Sequence, residues 1–250
     1  MNNRVKILVL AGGKGKRMQT ELPKVLMRVK GKSMIERVLE SVDKSGIDEK
    51  PTIFVSYKKE LVMKELGGKY QYVSHDKQLG TGHAVKSAKK YLKGKARNII
   101  VLYGDHPFVS SETIKKISEK HLRSGKKITM ATVKLPDFED WRANFANFSR
   151  IIRGKNGKII KDVQFKDASD DEKKITEVNP CYFCFNALWL WKNIEKIKNN
   201  NAQKEYYLTD LIKMASGNDG IEVETVEIKP REALGANTKE ELAILEKLAE

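Results

Sequence analysis

The residues best placed to do chemistry stand in "LVLAGGKGKRM", residues 8–18. There an apolar run gives way to Gly12, Gly13 and Gly15, interleaved with and followed by Lys14, Lys16 and Arg17. A turn that only reverses the chain needs one glycine or an Asn-Gly pair. Several glycines beside basic side chains fit a backbone that must lie close to an anion. The spacing is neither that of the dinucleotide G-x-G-x-x-G nor that of the P-loop, which ends in Gly-Lys-Ser/Thr. A second candidate is Asp105 in "LYGDHP", a carboxylate at the end of an apolar run, although aspartates at strand ends are also common turn residues. A third is the C-x-x-C of Cys181 and Cys184. Zinc would want a second pair of ligands at similar spacing and a redox pair usually opens a helix. The aromatic "CYFC" reads as strand, so two buried structural cysteines are expected.

These residues need elements to position them. Through the first half of the chain, β-branched runs alternate with amphipathic stretches: "VKILVL", "SMIERVLESV", "TIFVSY", "YQYVS", "AVKSAKKYL", "NIIVLYGD", "SETIKKISEKHL" and "KITMATV". The pattern predicts an α/β fold with parallel strands joined by helical crossovers. Ser33 and Glu36 form a candidate capping box, with Met34, Ile35, Val38, Leu39 and Val42 on one helix face. In open sheets of this kind ligands gather beyond the carboxyl ends of the strands near a topological switch point, which would bring the glycine loop and Asp105 together. From about Asn144 the pattern changes. "SRIIRGKNGKIIKDVQF" reads as strands around an Asn-Gly turn and "EVNPCYFCF" as one further strand, so a smaller β-rich part is expected. Helices in "NALWLWKNIEKI" and "EYYLTDLIKMA", a strand "IEVETVEI" and a last helix capped at Thr238 and Glu241 close the chain, with no hexapeptide repeats of a left-handed β-helix.

Length and composition set the outer bounds. The 250 residues, 40% hydrophobic, can bury the core of one large domain. No segment approaches the length of a membrane span or a signal-peptide core, and a cytoplasmic protein is expected. The formal net charge of +15 is compatible with nucleic acid, anionic membranes and phosphorylated small molecules. The lysines are spread over the whole chain and interleaved with acids, and no RNA-binding or C2H2 signature occurs. A solvated lysine-rich surface therefore stands ahead of nucleic acid or membrane partners.

The glycine loop acquires company in "LPK" at residues 22–24, "QLGTGHAV" at 78–85, "LYGDHP" at 102–107, "KDASDDEKKITEVN", "NNNAQKEYYLTDLI" and "GAN" at 235–237. With these the sequence resembles the sugar-1-phosphate nucleotidyltransferases over nearly its whole length, most closely the uridylyltransferase half of the bacterial bifunctional N-acetylglucosamine-1-phosphate uridylyltransferases. The resemblance implies a Rossmann-like fold, a mostly parallel central sheet flanked by helices with a smaller β-rich sugar-binding part. It implies one domain over 1–250: a nucleotide-binding part of about 1–135, a sugar-binding part of about 136–237 and a C-terminal helix at 238–250, without the β-helical acetyltransferase domain. The implied reaction is Mg²⁺-dependent transfer of a nucleotidyl group from an NTP, UTP by resemblance, to N-acetylglucosamine 1-phosphate, with release of pyrophosphate.

Carried over residue by residue, the resemblance makes Arg17, Lys24 and Asp105 catalytic, the two cations offsetting charge on the leaving pyrophosphate. Leu10, Ala11, Gly12, Gly13, Lys24, His75, Gly80 and Thr81 would hold the nucleotide. Tyr103, Gly104, Asp105, Ser149, Gln164 and Asn179 would hold the sugar phosphate, and Thr209 could contact the sugar. Asp105 and Asn237 would hold Mg²⁺, a hard cation suited to oxygen ligands. The competing readings are solvated surface charge for Arg17 and Lys24, a helix cap for Asn237 and a strand-end residue for Asn179. Four positions depart from the family pattern: His75 for a base-reading glutamine, Ser149 for a glycine, Gln164 for a glutamate and His106 for a small apolar residue. They leave base and sugar open. Two other classes stay in view, a nucleotide-sugar-binding regulatory protein on the same fold and a nucleic-acid-binding module.

Overall fold

Continuous β-branched runs become strands buried on both faces, because a strand covered by helices on each side has no polar face to keep. In β1 (Val5–Ala11) only Lys6 is not buried, and its ammonium reaches the Asp48 carboxylate at 2.5 Å. Each of the fully buried Ile7, Leu8 and Val9 contributes on the order of 1.5–3 kcal/mol through removal from water. The computed structural model describes residues 5–217 and 222–249, so Ile221 of the expected strand and Glu250 of the expected last helix lie outside the described residues.

After β1 come a small hairpin of β2 (Arg28–Val29) and β3 (Lys32–Ser33), then α1 (Met34–Ser45), β4 (Thr52–Val55), α2 (Lys59–Leu66) and β5 (Gln71–Ser74). The chain continues through α3 (Thr81–Leu92), β6 (Asn98–Tyr103), α4 (Ser111–Ser124), β7 (Ile128–Lys134), β8 (Ser149–Arg153), β9 (Ile159–Val163) and α5 (Asp170–Lys173). It ends with β10 (Glu177–Asn179), β11 (Phe183–Asn186), α6 (Ala187–Asn193), α7 (Asp210–Ser216), β12 (Val223–Glu227) and α8 (Lys239–Leu248).

Among the described residues ten strands join one mixed sheet in the order β5-β4-β1-β6-β11-β7-β10-β8-β9, with β12 also on β7. Its first four strands are parallel, and β11 runs antiparallel to β6 and β7. The chain leaves β1 for β4 and β5 on one side and returns to β6 on the other, so the switch point lies between the carboxyl ends of β1 and β6. The antiparallel trio β10-β8-β9 is the expected β-rich part, its hairpin turning at Asn156 and Gly157.

Local signals read from the sequence have the geometry they imply. Ser33 accepts from the Glu36 amide while the Glu36 carboxylate accepts from the Ser33 amide at 2.7 Å, the reciprocal box at the start of α1. At α8 the Thr238 hydroxyl accepts from the Glu241 amide, but the Glu241 carboxylate reaches one residue further back, to the Asn237 amide at 2.6 Å. The expected single strand "EVNPCYFCF" is two. Pro180 has no amide proton for the ladder, and Cys181 adopts a left-handed φ of 64°, so pairing stops after Asn179 and resumes at Phe183. Both cysteines are free, Cys184 buried as expected and Cys181 only half-buried.

His121 ties α4 to the sheet. Its Nε2 lies 3.1 Å from the Asn98 amide oxygen, which can only accept, so Nε2 carries the proton and Nδ1 accepts from the Thr129 hydroxyl at 2.9 Å. Burial pushes its pKa down to about 4. The unfolded chain then binds a proton that the fold refuses between pH 6.5 and 4, so this contribution is full above pH 6.5 and is lost as pH falls toward 4, about 3 kcal/mol in all. His121→Gln should narrow the gap between urea midpoints measured at pH 7 and pH 4.5. An equal gap in wild type and variant would show that His121 does not carry it.

Candidate active site

The glycine loop runs straight out of β1 under two separate constraints. A Cβ at Gly12 would lie 2.6 Å from the Phe54 ring, and Gly15 holds a left-handed φ of 63° with Lys24 against it, whereas a Cβ at Gly13 would meet only the Lys24 side chain, at an ordinary 3.7 Å. The loop is held from outside by Gln78, whose Nε2 donates to the Gly12 carbonyl at 2.6 Å. Strand β6 ends beside it, with the Gly104 amide donating to the Leu10 carbonyl at 2.9 Å and Asp105 next in line.

Between these strand ends lies a cleft of about 480 Å³. Leu10, Gly12, Gly13, Arg17, Lys24, Gly80, Thr81, Tyr103, Asp105, Ser149, Gln164, Asn179 and Asn237 all line it. Residues 147 positions apart in sequence, Arg17 and Gln164, thus share one space. Ala11 and Gly104 are buried and are not among the lining residues. His75 is not among the lining residues; its ring stands edge-on to that of His83 at 4.4 Å, and His83 lines the cleft instead. Thr209 is buried and accepts from Gln164 Nε2 at 3.1 Å.

The cleft is electrically divided. Arg17, Lys24 and Lys77 stand on its wall with the glycine loop, while the far wall carries Asn144, Asn147, Ser149, Gln164 and Asn179 without a basic side chain. At the join, the Lys24 ammonium bonds the Asp105 carboxylate and also donates to Asn237 Oδ1 at 2.7 Å. The Lys24 and Asp105 side chains are only 12% and 11% exposed. Burial alone would raise the Asp105 pKa; the Lys24 ammonium outweighs it and holds the carboxyl below its usual range. Two oxygens from distant parts of the chain therefore converge on one positive group. No cluster of three or more His, Cys, Asp or Glu side chains poised for a metal occurs among the described residues. A carboxylate and a carboxamide still suit a hard cation that completes its shell with waters and phosphate oxygens.

His106 is a packed residue. The Tyr182 hydroxyl donates to the Glu232 carbonyl at 2.8 Å, so its oxygen accepts from His106 Nδ1 at 3.1 Å, and Nε2 is left with a free lone pair. Burial lowers the His106 pKa, and the neutral ring packs between Tyr103 and Phe148. Gly235 is required beneath it, since a Cβ there would lie 2.5 Å from the ring.

Several lining residues carry no expectation from the sequence. Gln78, at the head of "QLGTGHAV", is one of them. Asn147 and Phe148 belong to a segment held by the buried Arg150, whose guanidinium donates to the carbonyls of Phe148 and Ala146, the latter at 2.7 Å. Burial lowers the pKa of this arginine. The signal available was an arginine inside an apolar strand, "SRIIR", which had to find carbonyl partners. Glu205 reaches the cleft because residues 205–208 strap across the start of α3. The Tyr206 amide donates to the Leu79 carbonyl at 2.8 Å, the Gly82 amide to the Tyr206 carbonyl at 2.8 Å and the Leu208 amide to Thr81 Oγ1 at 3.1 Å. No helix among the described residues is long and apolar enough to cross a membrane.

Residues 7–157 match the family model of the MobA-like NTP transferase domain. The bifunctional protein GlmU of Clostridium tetani is 36% identical over 239 residues, an alignment that takes in 96% of this chain and 51% of that protein. The chain thus spans about half the length of the curated relatives it matches. Among solved structures, a Bacillus anthracis protein assigned as a glucose-1-phosphate thymidylyltransferase superposes with a TM-score of 0.75 at 17% identity, covering 98% of this chain and 95% of that one. HddC from Yersinia pseudotuberculosis, complexed with GMP-PN, gives 0.68 at 16%, covering 97% and 98%. At such identities the likeness is one of fold.

Proposed function

The chain belongs to the MobA-like NTP transferase domain family, and from that premise we propose that it transfers a nucleotidyl group from an NTP to a sugar 1-phosphate, with UTP and N-acetylglucosamine 1-phosphate as the pair. A phosphate oxygen of the sugar 1-phosphate attacks the α-phosphorus, that P–O bond forms, and the bond from the α-phosphorus to the bridging oxygen of pyrophosphate breaks. No side chain need become a nucleophile. The protein supplies position and charge.

The observation that carries this reading is the meeting of Lys24, Asp105 and Asn237 at the glycine loop, on the switch point of the sheet. Backbone at Gly12 and Gly13 approaches the triphosphate, Arg17 and Lys24 offset charge developing on pyrophosphate, and Gly80 and Thr81 face the nucleoside. Asp105 and Asn237 would hold Mg²⁺, which when bound neutralises phosphate charge and orients the triphosphate. Tyr103, Ser149, Gln164 and Asn179 face the sugar, and the divided cleft accepts a ligand anionic at one end and neutral at the other.

The test is pyrophosphate release with Mg²⁺, crossing UTP, CTP, GTP, ATP and dTTP against the 1-phosphates of N-acetylglucosamine, glucosamine, glucose and galactose. The expected result is one dominant pair, UTP with N-acetylglucosamine 1-phosphate. Silence across the grid from folded protein would replace the transferase with a regulatory nucleotide-sugar binder on the same fold.

A further inference from the structure

Behind the sugar-facing wall lies a carboxyl group that the transfer reaction does not use. Asp162 on β9 accepts at Oδ2 from the Ser149 hydroxyl at 2.8 Å and from Asn179 Nδ2 at 2.9 Å. Its Oδ1 is buried and has no hydrogen-bond partner. A buried, half-satisfied carboxyl is costly to the fold, so its retention beside a binding wall asks for a role.

The role follows from counting protons. Ser149 has one hydroxyl proton and gives it to Asp162, so toward the cleft its oxygen can only accept. Asn179 gives one Nδ2 proton to Asp162, and its Oδ1 accepts from the Cys181 amide at 2.7 Å, which leaves the second Nδ2 proton as its free group. Gln164 donates one Nε2 proton to Thr209 and keeps Oε1 as an acceptor and its second Nε2 proton as a donor. The wall therefore offers an acceptor-only oxygen at Ser149, a donor at Asn179 and one group of each kind at Gln164. Its complement is a pyranose that donates to Ser149, from a hydroxyl or an acylamino N–H, and accepts from Asn179.

Resting on the transferase reading above, we propose that Asp162 is a positioning residue that sets this hydrogen-bond polarity and thereby selects the sugar. The groups facing it are Asp210 on α7 and the Cys181 thiol, neither of which brings positive charge. The neighbouring Arg150 and Lys161 are engaged elsewhere, with backbone carbonyls and with Glu172. Burial, opposed by the bonds from Asn179 and Ser149, pushes the carboxyl up to about 7. Protonation at the unpartnered Oδ1 would leave Oδ2 an uncharged and weaker acceptor for Ser149 and Asn179, so the polarity is held less firmly and sugar affinity should weaken as pH falls below 7. The phosphate of the ligand also titrates there, which makes the comparison with a non-titrating variant essential.

The experiment is calorimetric titration of N-acetylglucosamine 1-phosphate and glucose 1-phosphate into wild type, Asp162→Asn and Asp162→Leu, with the α,β-methylene analogue of UTP present. Binding needs no turnover, so an inactive protein that binds the sugar phosphate sinks the reaction and still tests Asp162. Both variants should bind the preferred sugar phosphate about 10-fold more weakly, with affinity for the UTP analogue unchanged. Their thermal midpoints should be equal to or above wild type, whereas loss of a structural contact would lower them. The pH dependence between 6 and 8 should flatten to that of the ligand alone. The proposal is overturned by unchanged sugar affinity in both variants, by parallel weakening of both ligands, or by wild type that binds neither sugar phosphate.

Discussion

Lys24→Ala should lower turnover on the order of 10²- to 10³-fold, the effect of removing one preorganised charge from a water-poor transition-state site. The ammonium sits on Asp105 and Asn237 in a pair that is barely exposed, so its field is little screened. If it acts on the leaving pyrophosphate, kcat falls while the KM for sugar 1-phosphate moves by less than a few-fold. A variant that turns over at near wild-type rate would remove Lys24 from the mechanism. The same substitution has a second consequence that surface lysines do not share. Asp105 loses the ammonium that holds its carboxyl low, and breaking such a buried pair costs about 3 kcal/mol or more. The wild-type carboxyl is depressed, so this stability is present above the unfolded value of 3.8 and is lost as pH falls through the lower folded value. The stability difference between variant and wild type should accordingly be large at pH 7 and shrink below pH 4. Millimolar Mg²⁺ should recover more of the thermal midpoint in the variant than in wild type, because a cation can then occupy the place the ammonium left.

How far the sequence reaches depends on how local the determinant is. The parallel strands, the Ser33 box and the Asn156-Gly157 hairpin are written within a few residues of themselves, and periodicity or a turn residue suffices to read them. The switch point follows one step later, since a glycine loop after one strand and an aspartate after another can share a ligand only if their strands are neighbours. The break at Pro180 was missed because an aromatic apolar run looks continuous, although proline forbids a ladder bond and confines Asn179 to extended backbone. Asp162 was beyond reach. On β9 it reads as the polar alternation of a surface strand, and only the hairpin register, with Asp162 opposite Ile151, and the adjacent β10 bring Ser149 and Asn179 onto it. The Arg150 anchor is a similar case, a long-range debt of carbonyl groups in an irregular segment that no spacing rule records.

Gly80→Ala should damage the site more than the fold. Gly80 caps α3 with φ 103° and ψ 172°, a region that side-chain-bearing residues scarcely enter, at a cost of about 1–3 kcal/mol. Strain is the smaller part. A Cβ at this position would lie 2.7 Å from the Tyr206 carbonyl oxygen and 2.9 Å from the Tyr206 amide nitrogen, which are backbone atoms and cannot rotate away. The strap of residues 205–208 must therefore lift, and with it go the bonds joining Tyr206 to Leu79 and Gly82 and Leu208 to Thr81. Helix α3 itself remains anchored by Val85, Ala88 and Leu92, each fully buried, so unfolding stays cooperative. Affinity for the nucleotide should fall by about 10- to 100-fold, since Gly80 and Thr81 line the cleft proposed to hold it, and amide exchange at 206 and 208 should accelerate while the strands of the parallel half keep their protection. Unchanged exchange at those two amides would mean that the strap tolerates a methyl group where the geometry leaves no room, and the close approach of backbone to backbone could no longer explain the glycine.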